Sequence, residues 1–483
     1  MISRGQVVQL EISDIAFGGK GIAKINSDQG EYVLFVPNTF PGQHVSARIV
    51  KKRKRFAECS LIEIIKQSEA EIELPFQKIS GAPFIYIPIA LQEKVKKETT
   101  LETYKRLGDL QTINQIFDQF ISSPTHLFYR NKMEYSFSCI EHDIVTNQEI
   151  DNSFALGFKH QGTWWKVENL NRPSGLFDEE WESKLPTIRE FLKDTQLKAW
   201  HPPQKKGFYR HIVVRKSFFT NQLLINLVTS SEDIGKFKPM DFVNVLISQF
   251  GDRIAGIQHT INDNVADRAK IENGSTKLLF GESFIVEQIL GLQFEISMES
   301  FFQTNPQSAE KLYQKAFDYL FEDLVHNSEE YVMDLFCGTG TIGQVISHRY
   351  PNINVIGIDI VAEAIADAKK NAQRNQIDKI KFHASDVGKF LSNFPNYNGK
   401  IKSIILDPPR AGIAPKTLQK VINLGGQRIV YISCNPATQA RDAKILQEGG
   451  YELRKLSLVD QFPHTSHIEA IAVFDRQTNW NFC

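Results

Sequence analysis

The residues best suited to chemistry sit where apolar runs end. Ile429-Val430-Tyr431-Ile432-Ser433 is β-branched and aromatic, reads as a buried strand, and stops at Cys434. Asn435 and Pro436 then supply a cap and a first-turn proline for a helix from Ala437 to about Glu448. A thiol at that junction faces unpaired amides and the positive end of a helix dipole, and both favour the reactive thiolate. The carboxyl end of a strand in an open α/β sheet is also where ligands bind. The expectation is a cysteine that acts as a covalent nucleophile.

A second cluster lies upstream, where Asp334-Leu335-Phe336-Cys337-Gly338-Thr339-Gly340-Thr341-Ile342-Gly343 is a strand breaking into a glycine turn. Gly338, Gly340 and Gly343 fit the GxGxxG spacing, which alone is compatible with a nicotinamide dinucleotide. Asp334 before the turn would repel a pyrophosphate, whereas a cationic sulfonium with an amino group would be drawn to it. Asp359 ends the next strand at the distance where acidic residues take ribose hydroxyls. Asp386 follows the third strand, placed to accept from an adenine amino group. The pattern points to S-adenosylmethionine rather than NAD, and Cys337 inside the turn reads as a packing residue.

Leu406-Asp407-Pro408-Pro409-Arg410-Ala411-Gly412 follows the fourth strand. Two prolines can simply end a strand, but Asp or Asn before Pro-Pro and an aromatic holds an amine in amino-group methyltransferases. Arg410 stands in the aromatic place and a cysteine ends the next strand, which fits covalent chemistry instead. Phe462-Pro463-His464-Thr465-Ser466-His467-Ile468-Glu469 brings Glu469 to the start of the last strand, where it could serve as a general base. His464 and His467 are open to being ligands, bases or structural donors, because a spacing of three residues does not establish a metal site.

These residues need a scaffold. From about residue 291 strands alternate with helices, the pattern of an α/β domain with a doubly wound parallel sheet. Its strands are Tyr331 to Phe336, Val355 to Asp359, Ile380 to His383, Ser403 to Asp407, Ile429 to Ser433 and Ala470 to Phe474. Residues 1–62 read as short strands with glycine-rich turns, a small barrel of the OB type. Their order resembles the TRAM domain, an RNA-binding barrel, and the run Lys51-Lys52-Arg53-Lys54-Arg55 closes it with positive charge. From about 88 to 120 the spacing of Leu91, Val95, Leu101, Tyr104 and Leu107 predicts a helical segment with one apolar face. Three domains are expected: a barrel at 1–62, a central α+β domain at 63–290 and a catalytic domain at 291–483, with the 88–120 helix packed on the last. Trp164 and Trp165 in the central region read as core rather than as RNA contacts.

Length and composition set the outer limits. A chain of 483 residues exceeds one core, and 42% hydrophobic with 23% charged residues is ordinary for a soluble globular protein. No apolar stretch approaches the ~20 residues that cross a bilayer, and the first residues lack the apolar core of a signal peptide. The five cysteines, at 59, 139, 337, 434 and 483, are scattered and odd in number. That argues against a disulfide framework and for a reducing cytoplasm. A formal net charge of zero does not exclude RNA, since binding follows local charge.

Taken together, Phe302-Gln303-Thr304-Asn305, Asp334 to Gly343, Asp407 to Gly412, Ser433 to Thr438, Ala440-Arg441-Asp442 and Phe462 to Glu469 resemble the RNA uracil-5-methyltransferase family. The resemblance runs over nearly the whole chain. It implies a class I Rossmann-like S-adenosylmethionine methyltransferase domain, with Cys434 as nucleophile and Glu469 as proton-abstracting base. It implies cofactor contacts from Gln303, Phe336, Thr341, Asp359, Asp386 and Asp407; a lone glutamine such as Gln303 carries no signal of its own. The implied substrate is a uridine in RNA, 23S ribosomal RNA first and transfer RNA as the alternative, modified by a monomer. Many members with a TRAM domain hold a four-iron cluster on cysteines. Leu74, Ser80, Pro83 and Leu170 occupy those places here, so no iron–sulfur cluster is expected. Two other readings stay open: an amino-group methyltransferase built on Asp407-Pro408-Pro409, and a non-catalytic RNA-binding or ribosome-assembly protein.

Overall fold

In a computed structural model that describes all residues except 1–2, 28–29, 265–273, 394–396, 398 and 478–483, the chain divides into two units. One comprises Met1–Pro88, His126–Glu287 and Glu295–Glu299; the other comprises Ile89–Thr125, Gln288–Phe294 and Ser300–Cys483. Cys483 itself lies outside the described residues.

The second unit is built on an eight-stranded sheet. Its order is Ile380–Ala384, Asn354–Asp359, Tyr331–Leu335, Ile401–Leu406, Arg428–Ser433, Glu469–Arg476, Tyr451–Val459 and Phe117–Ile121. The first five are mutually parallel and covered by helices, which is why Ile404, Ile405, Val430, Tyr431 and Ile432 read as unbroken apolar runs and are fully buried. Glu469–Arg476 runs antiparallel to both neighbours. The strand order reverses between Tyr331–Leu335 and Ile401–Leu406, so a crevice opens outside their carboxyl ends.

Two elements differ from the sequence expectation. The helix predicted over 88–120 is Ile89–Leu107, stopped at Gly108 and at Asp109, whose φ is 55°. Phe117–Ile121 instead extends the sheet, parallel to Tyr451–Val459, itself a strand that the sequence reading did not name. Both lie where polar and apolar residues mix, and the neighbouring strand rather than intrinsic preference decides the conformation. The helix also buries an unexpected face. Leu107 is exposed, Leu91 and Val95 are half-buried, and the buried set is Gln92, Lys96, Thr100, Leu101, Thr103 and Tyr104.

In the first unit, residues 7–66 form a six-stranded sheet in the order Val7–Glu11, His44–Lys52, Phe56–Lys66, Gly30–Pro37, Lys20–Ser27 and Asp14–Ala16. Leu10, Leu34, Val36, Val45, Ala47 and Ile49 fill its core, while Lys51 to Arg55 are all exposed. A nine-stranded sheet follows, with the helices Glu179–Asp194 and Pro239–Phe250 packed into one hydrophobic cluster around Trp181. Trp164 departs from its expected place in the core: it is 55% exposed, at the tip of a turn closed by His160 N donating to Lys166 O.

Leu74, Phe76, Ile79, Ala82 and Leu170 all pack into or against that cluster. Gln77 is buried among them; its Nε2 donates to Asn169 O at 2.7 Å and its Oε1 accepts from Asn171 N at 2.9 Å. Ser80 Oγ donates to Lys159 O at 2.9 Å. The segment is therefore tied down by apolar packing and one bridging amide. Gln77→Leu should leave those backbone groups unpaired and cost about 1–3 kcal/mol, read as an earlier urea midpoint for this unit's transition.

Candidate active site

The site forms where the parallel strands end. Ser433 pairs with Ala470 across the antiparallel ladder, so Cys434 and Glu469 are the next residues on either side of it. In such a ladder facing α-carbons lie on the order of 5 Å apart. Leu406 pairs with Tyr431 on the other flank, and Asp407 N donates to Leu335 O at 3.3 Å, which brings the Asp407 turn beside the glycine turn.

Cys434 is half-buried at the head of the helix Pro436–Glu448. Asn435 occupies the N-cap place but does not cap; its Nδ2 donates to Arg410 O at 2.9 Å, stitching the Pro-Pro turn to the cysteine turn. The Arg410 side chain lies close enough to the Cys434 thiol to favour its anion. Burial pushes that thiol up to about 11, the charges of Glu469 and Asp407 add to the rise, and Arg410 offsets part of it. This corrects the expectation of a thiolate favoured by the helix end. A helix dipole contributes a fraction of a charge, whereas desolvation and two carboxylates act at closer range.

Glu469 is 4% exposed, and burial first, then the Asp407 charge, raises its carboxyl well above the ordinary range. Burial brings Asp407 to about 7 and Asp334 to about 7, the latter with help from Asp407 and Asp359. Asp334 Oδ2 accepts from Gly343 N at 2.9 Å, but its Oδ1 is buried without a partner. Tyr313, which sequence reading missed, is buried against the same group: it hydrogen-bonds Gln303 and feels Asp407, Asp334 and Glu469. A buried tyrosine in an ordinary amphipathic helix carries no sequence signal of such a role.

The glycine turn is shaped by close approach. Gly340 has a φ of 71°, and a Cβ there would meet Phe382 at 2.4 Å. Phe336 also adopts a positive φ, 65°. Cys337 packs against the cluster of Ile365, Ala368 and Phe382. Asp359 binds both sides of the turn: Oδ2 accepts from Gly338 N and Oδ1 from Val361 N, each at 2.9 Å. Thr341 begins the following helix and is buried beside Thr339, 3.4 Å between hydroxyl oxygens. Asp386 is exposed, with Oδ1 accepting from Lys389 N at 2.9 Å. Gln303 Oε1 lies 3.5 Å from Gln461 Nε2.

His464 is buried and hydrogen-bonded to Gln92, while His467 is exposed and makes an edge contact with Phe462. Neither belongs to a group that could hold a metal. Among the described residues that group is His142, His160 and Glu168, with ligand atoms within 4.8 Å. There the Lys166 ammonium lies 3.2 Å from His142 Nδ1 and already supplies the positive charge.

Desolvated carboxyls with raised pKa values have a consequence for stability. Asp407 gains stability from being neutral, fully present below its unfolded value near 4 and lost as pH rises through about 7. Asp407→Asn should therefore lose less melting temperature than the parent between pH 4 and 8, measured by calorimetry without ligand. Alkylation of Cys434 by iodoacetamide, followed on its own peptide by mass spectrometry, should climb toward pH 11, and more steeply displaced upward in Arg410→Ala.

Comparison with known proteins places this geometry. The tRNA (Uracil-5-)-methyltransferase family model matches residues 258–477 and the TRAM domain model matches residues 3–62. A relative from Clostridium acetobutylicum, an uncharacterized RNA methyltransferase, is 34% identical over 99% of each chain. Another uncharacterized RNA methyltransferase, from Caldanaerobacter subterraneus subsp. tengcongensis, is 32% identical over 98% of this chain and 100% of its own. The crystal structure of Pyrococcus abyssi tRNA (uracil-54, C5)-methyltransferase in complex with S-adenosyl-L-homocysteine has the same fold: TM-score 0.69 at 22% identity, over 97% of this chain and 100% of that one.

Proposed function

We propose that this chain, which belongs to the RNA uracil-5-methyltransferase family, methylates carbon 5 of a uridine in RNA, with Cys434 as nucleophile and Glu469 as base. The observation that carries the reading is the Ser433–Ala470 register, which sets a thiol and a buried carboxyl side by side at the crevice. Uracil carbon 5 is too weak a nucleophile to take a methyl unaided. Addition of the Cys434 sulfur to carbon 6 moves electron density to carbon 5, splitting one hard step into easier ones. Glu469 then takes the carbon 5 proton so that the thiol can leave. Arg410 lies close to the sulfur and favours its anion. The uridine has to leave its stack to reach this pocket.

S-adenosyl-L-methionine supplies an electrophilic methyl on a positively charged sulfur. The site fits that group: Asp334 and Glu469 are buried with Asp407 half-buried, carboxyls whose ionisation burial opposes and a bound cation would favour, and Asp334 Oδ1 has no partner of its own. Gln303, Phe336, Thr341, Asp359, Asp386 and Asp407 would hold it. A cation there would also draw the Cys434 thiol toward ionisation, opposing the burial that keeps it protonated.

The exposed Lys51 to Arg55 run serves as a grip on the RNA backbone, with affinity that falls as salt rises. Ribosomal large-subunit RNA is the substrate this reading favours, acted on by a monomer in the cytoplasm; nucleoside mapping of RNA from a strain lacking the protein decides between it and transfer RNA. The segment with Leu74, Ser80, Pro83 and Leu170 offers no thiolate and is filled by apolar packing, which supports a cluster-free member.

Cys434→Ala should abolish methylation and any covalent protein–RNA adduct. Glu469→Gln should instead let a methylated adduct build up, visible as a retarded band on a denaturing gel; full turnover in the Cys434 variant would favour an amino-group methyltransferase. Protein purified without oxygen should contain only trace iron and sulfide, and stoichiometric iron would overturn the cluster-free assignment.

A further inference from the structure

A helix normally buries its apolar stripe. Ile89–Leu107 buries Gln92, Lys96, Thr100 and Thr103 along one stripe, with Leu101 and Tyr104 beside them. Polar groups are buried at a cost unless they make specific hydrogen bonds. Gln92, Lys96 and Tyr104 find partners on the two segments that carry the thiol and the carboxyl.

Toward the carboxyl, Gln92 Oε1 accepts from His464 N at 2.8 Å and its Nε2 lies 3.1 Å from His464 Nδ1. His464 has a φ of 65°, a conformation a non-glycine residue holds only when its surroundings enforce it. One turn on, Lys96 Nζ donates to Asp460 Oδ1 at 2.7 Å and to Phe462 O at 3.0 Å, with side chains 3% and 0% exposed. Phe462 O also accepts from Thr465 Oγ1 at 2.8 Å, and Thr465 Oγ1 accepts from His467 N at 3.1 Å. The chain of contacts thus runs from the ammonium to within two residues of Glu469. The same segment reaches the cofactor side, where Asn305 Nδ2 donates to Gln461 O at 3.2 Å and Gln461 Nε2 approaches Gln303. Toward the thiol, the Tyr104 hydroxyl bonds Gln439 Oε1, and Gln439 Nε2 donates to Tyr431 O at 2.7 Å, on the strand that ends at Cys434.

Resting on the methyltransferase reading above, we propose that Lys96 and Gln92 are positioning residues that hold the Asp460–Glu469 segment so that Glu469 faces the adduct on Cys434. The helix lies outside both stretches matched by the family models, 3–62 and 258–477. A brace on the segment ahead of the base governs the step the base performs, adduct release, and leaves the first attack by Cys434 to other contacts.

Removing only one partner of a buried ion pair strands the other charge, so the informative variant removes both: Lys96→Met with Asp460→Leu, an apolar pair of similar volume. The assay uses total RNA from a strain lacking the protein and S-adenosyl-L-methionine labelled on its methyl. The folded double variant should bind the donor with unchanged Kd and form the labelled adduct. Release of methylated RNA should slow by about 10–100-fold, the scale of a 1 Å misplacement, so that the adduct accumulates. Release at the parent rate, or a general loss of methylation with no adduct build-up, overturns the proposal. Gln92→Leu removes the contacts to His464 without touching the ion pair and answers the same question if the double variant does not fold; normal release there overturns the proposal equally. Failure of the underlying reading looks different: the parent protein would methylate nothing, or Cys434→Ala would still do so.

Discussion

One antiparallel strand pair sets the rest in place. Arg428–Ser433 belongs to the parallel, helix-covered part of the sheet and ends at the crevice; Glu469–Arg476 runs the other way and begins there. Only that opposition of direction brings a strand's last side chain next to another's first. A slip of one residue would turn Glu469 to the opposite face of the sheet. The register is held by burial on both faces, since Ile429, Val430, Ile432, Ala470, Ile471 and Ala472 all lie in the core.

The crevice so formed gathers carboxyl groups. Desolvation raises the carboxyls of Asp334, Asp407 and Glu469, the Asp407 charge adds to the rise at the other two, and Tyr313 is pressed upward by burial first and then by the same three. Such a cluster destabilises an empty site and favours any ligand that brings positive charge. Arg410 is the protein's own counterweight, but it is exposed and committed to the thiol. The result is a thiol whose ionisation its surroundings oppose.

Around the crevice, polar side chains do the bracing that apolar packing does elsewhere. Asn435 gives up capping its helix to bind Arg410 O, and Asp359 ties the glycine turn to the loop after its own strand. Each is a short side chain that satisfies backbone groups of a turn, one for Asn435 and two for Asp359. That economy suits turns, whose backbone groups have no ladder partner.

Much of this was legible in the linear sequence because strands buried on both faces announce themselves. The runs at Tyr331, Val355, Ser403, Ile429 and Ala470, the glycine turn and the residues Cys434, Glu469 and Asp407 all lie at ends of apolar segments, where local pattern and chemistry coincide. Phe117–Ile121 was not legible because an edge strand takes its conformation from the neighbour it pairs with, and Tyr451–Val459, paired on both sides, mixes polar and apolar residues. The ionisation of Cys434 was misjudged for the same reason: a helix end is a local feature, but Glu469 and Asp407 arrive from other strands. Lys96, Gln92 and Tyr313 lie in helices whose spacing says nothing of the crevice. Residue order by itself determined which groups are chemically able and which segments are strands or helices, since those follow from side-chain type and period. Which polar groups are buried together, and therefore which are neutral, charged or braced, was decided by tertiary contacts alone, because desolvation and charge coupling act through space and not along the chain.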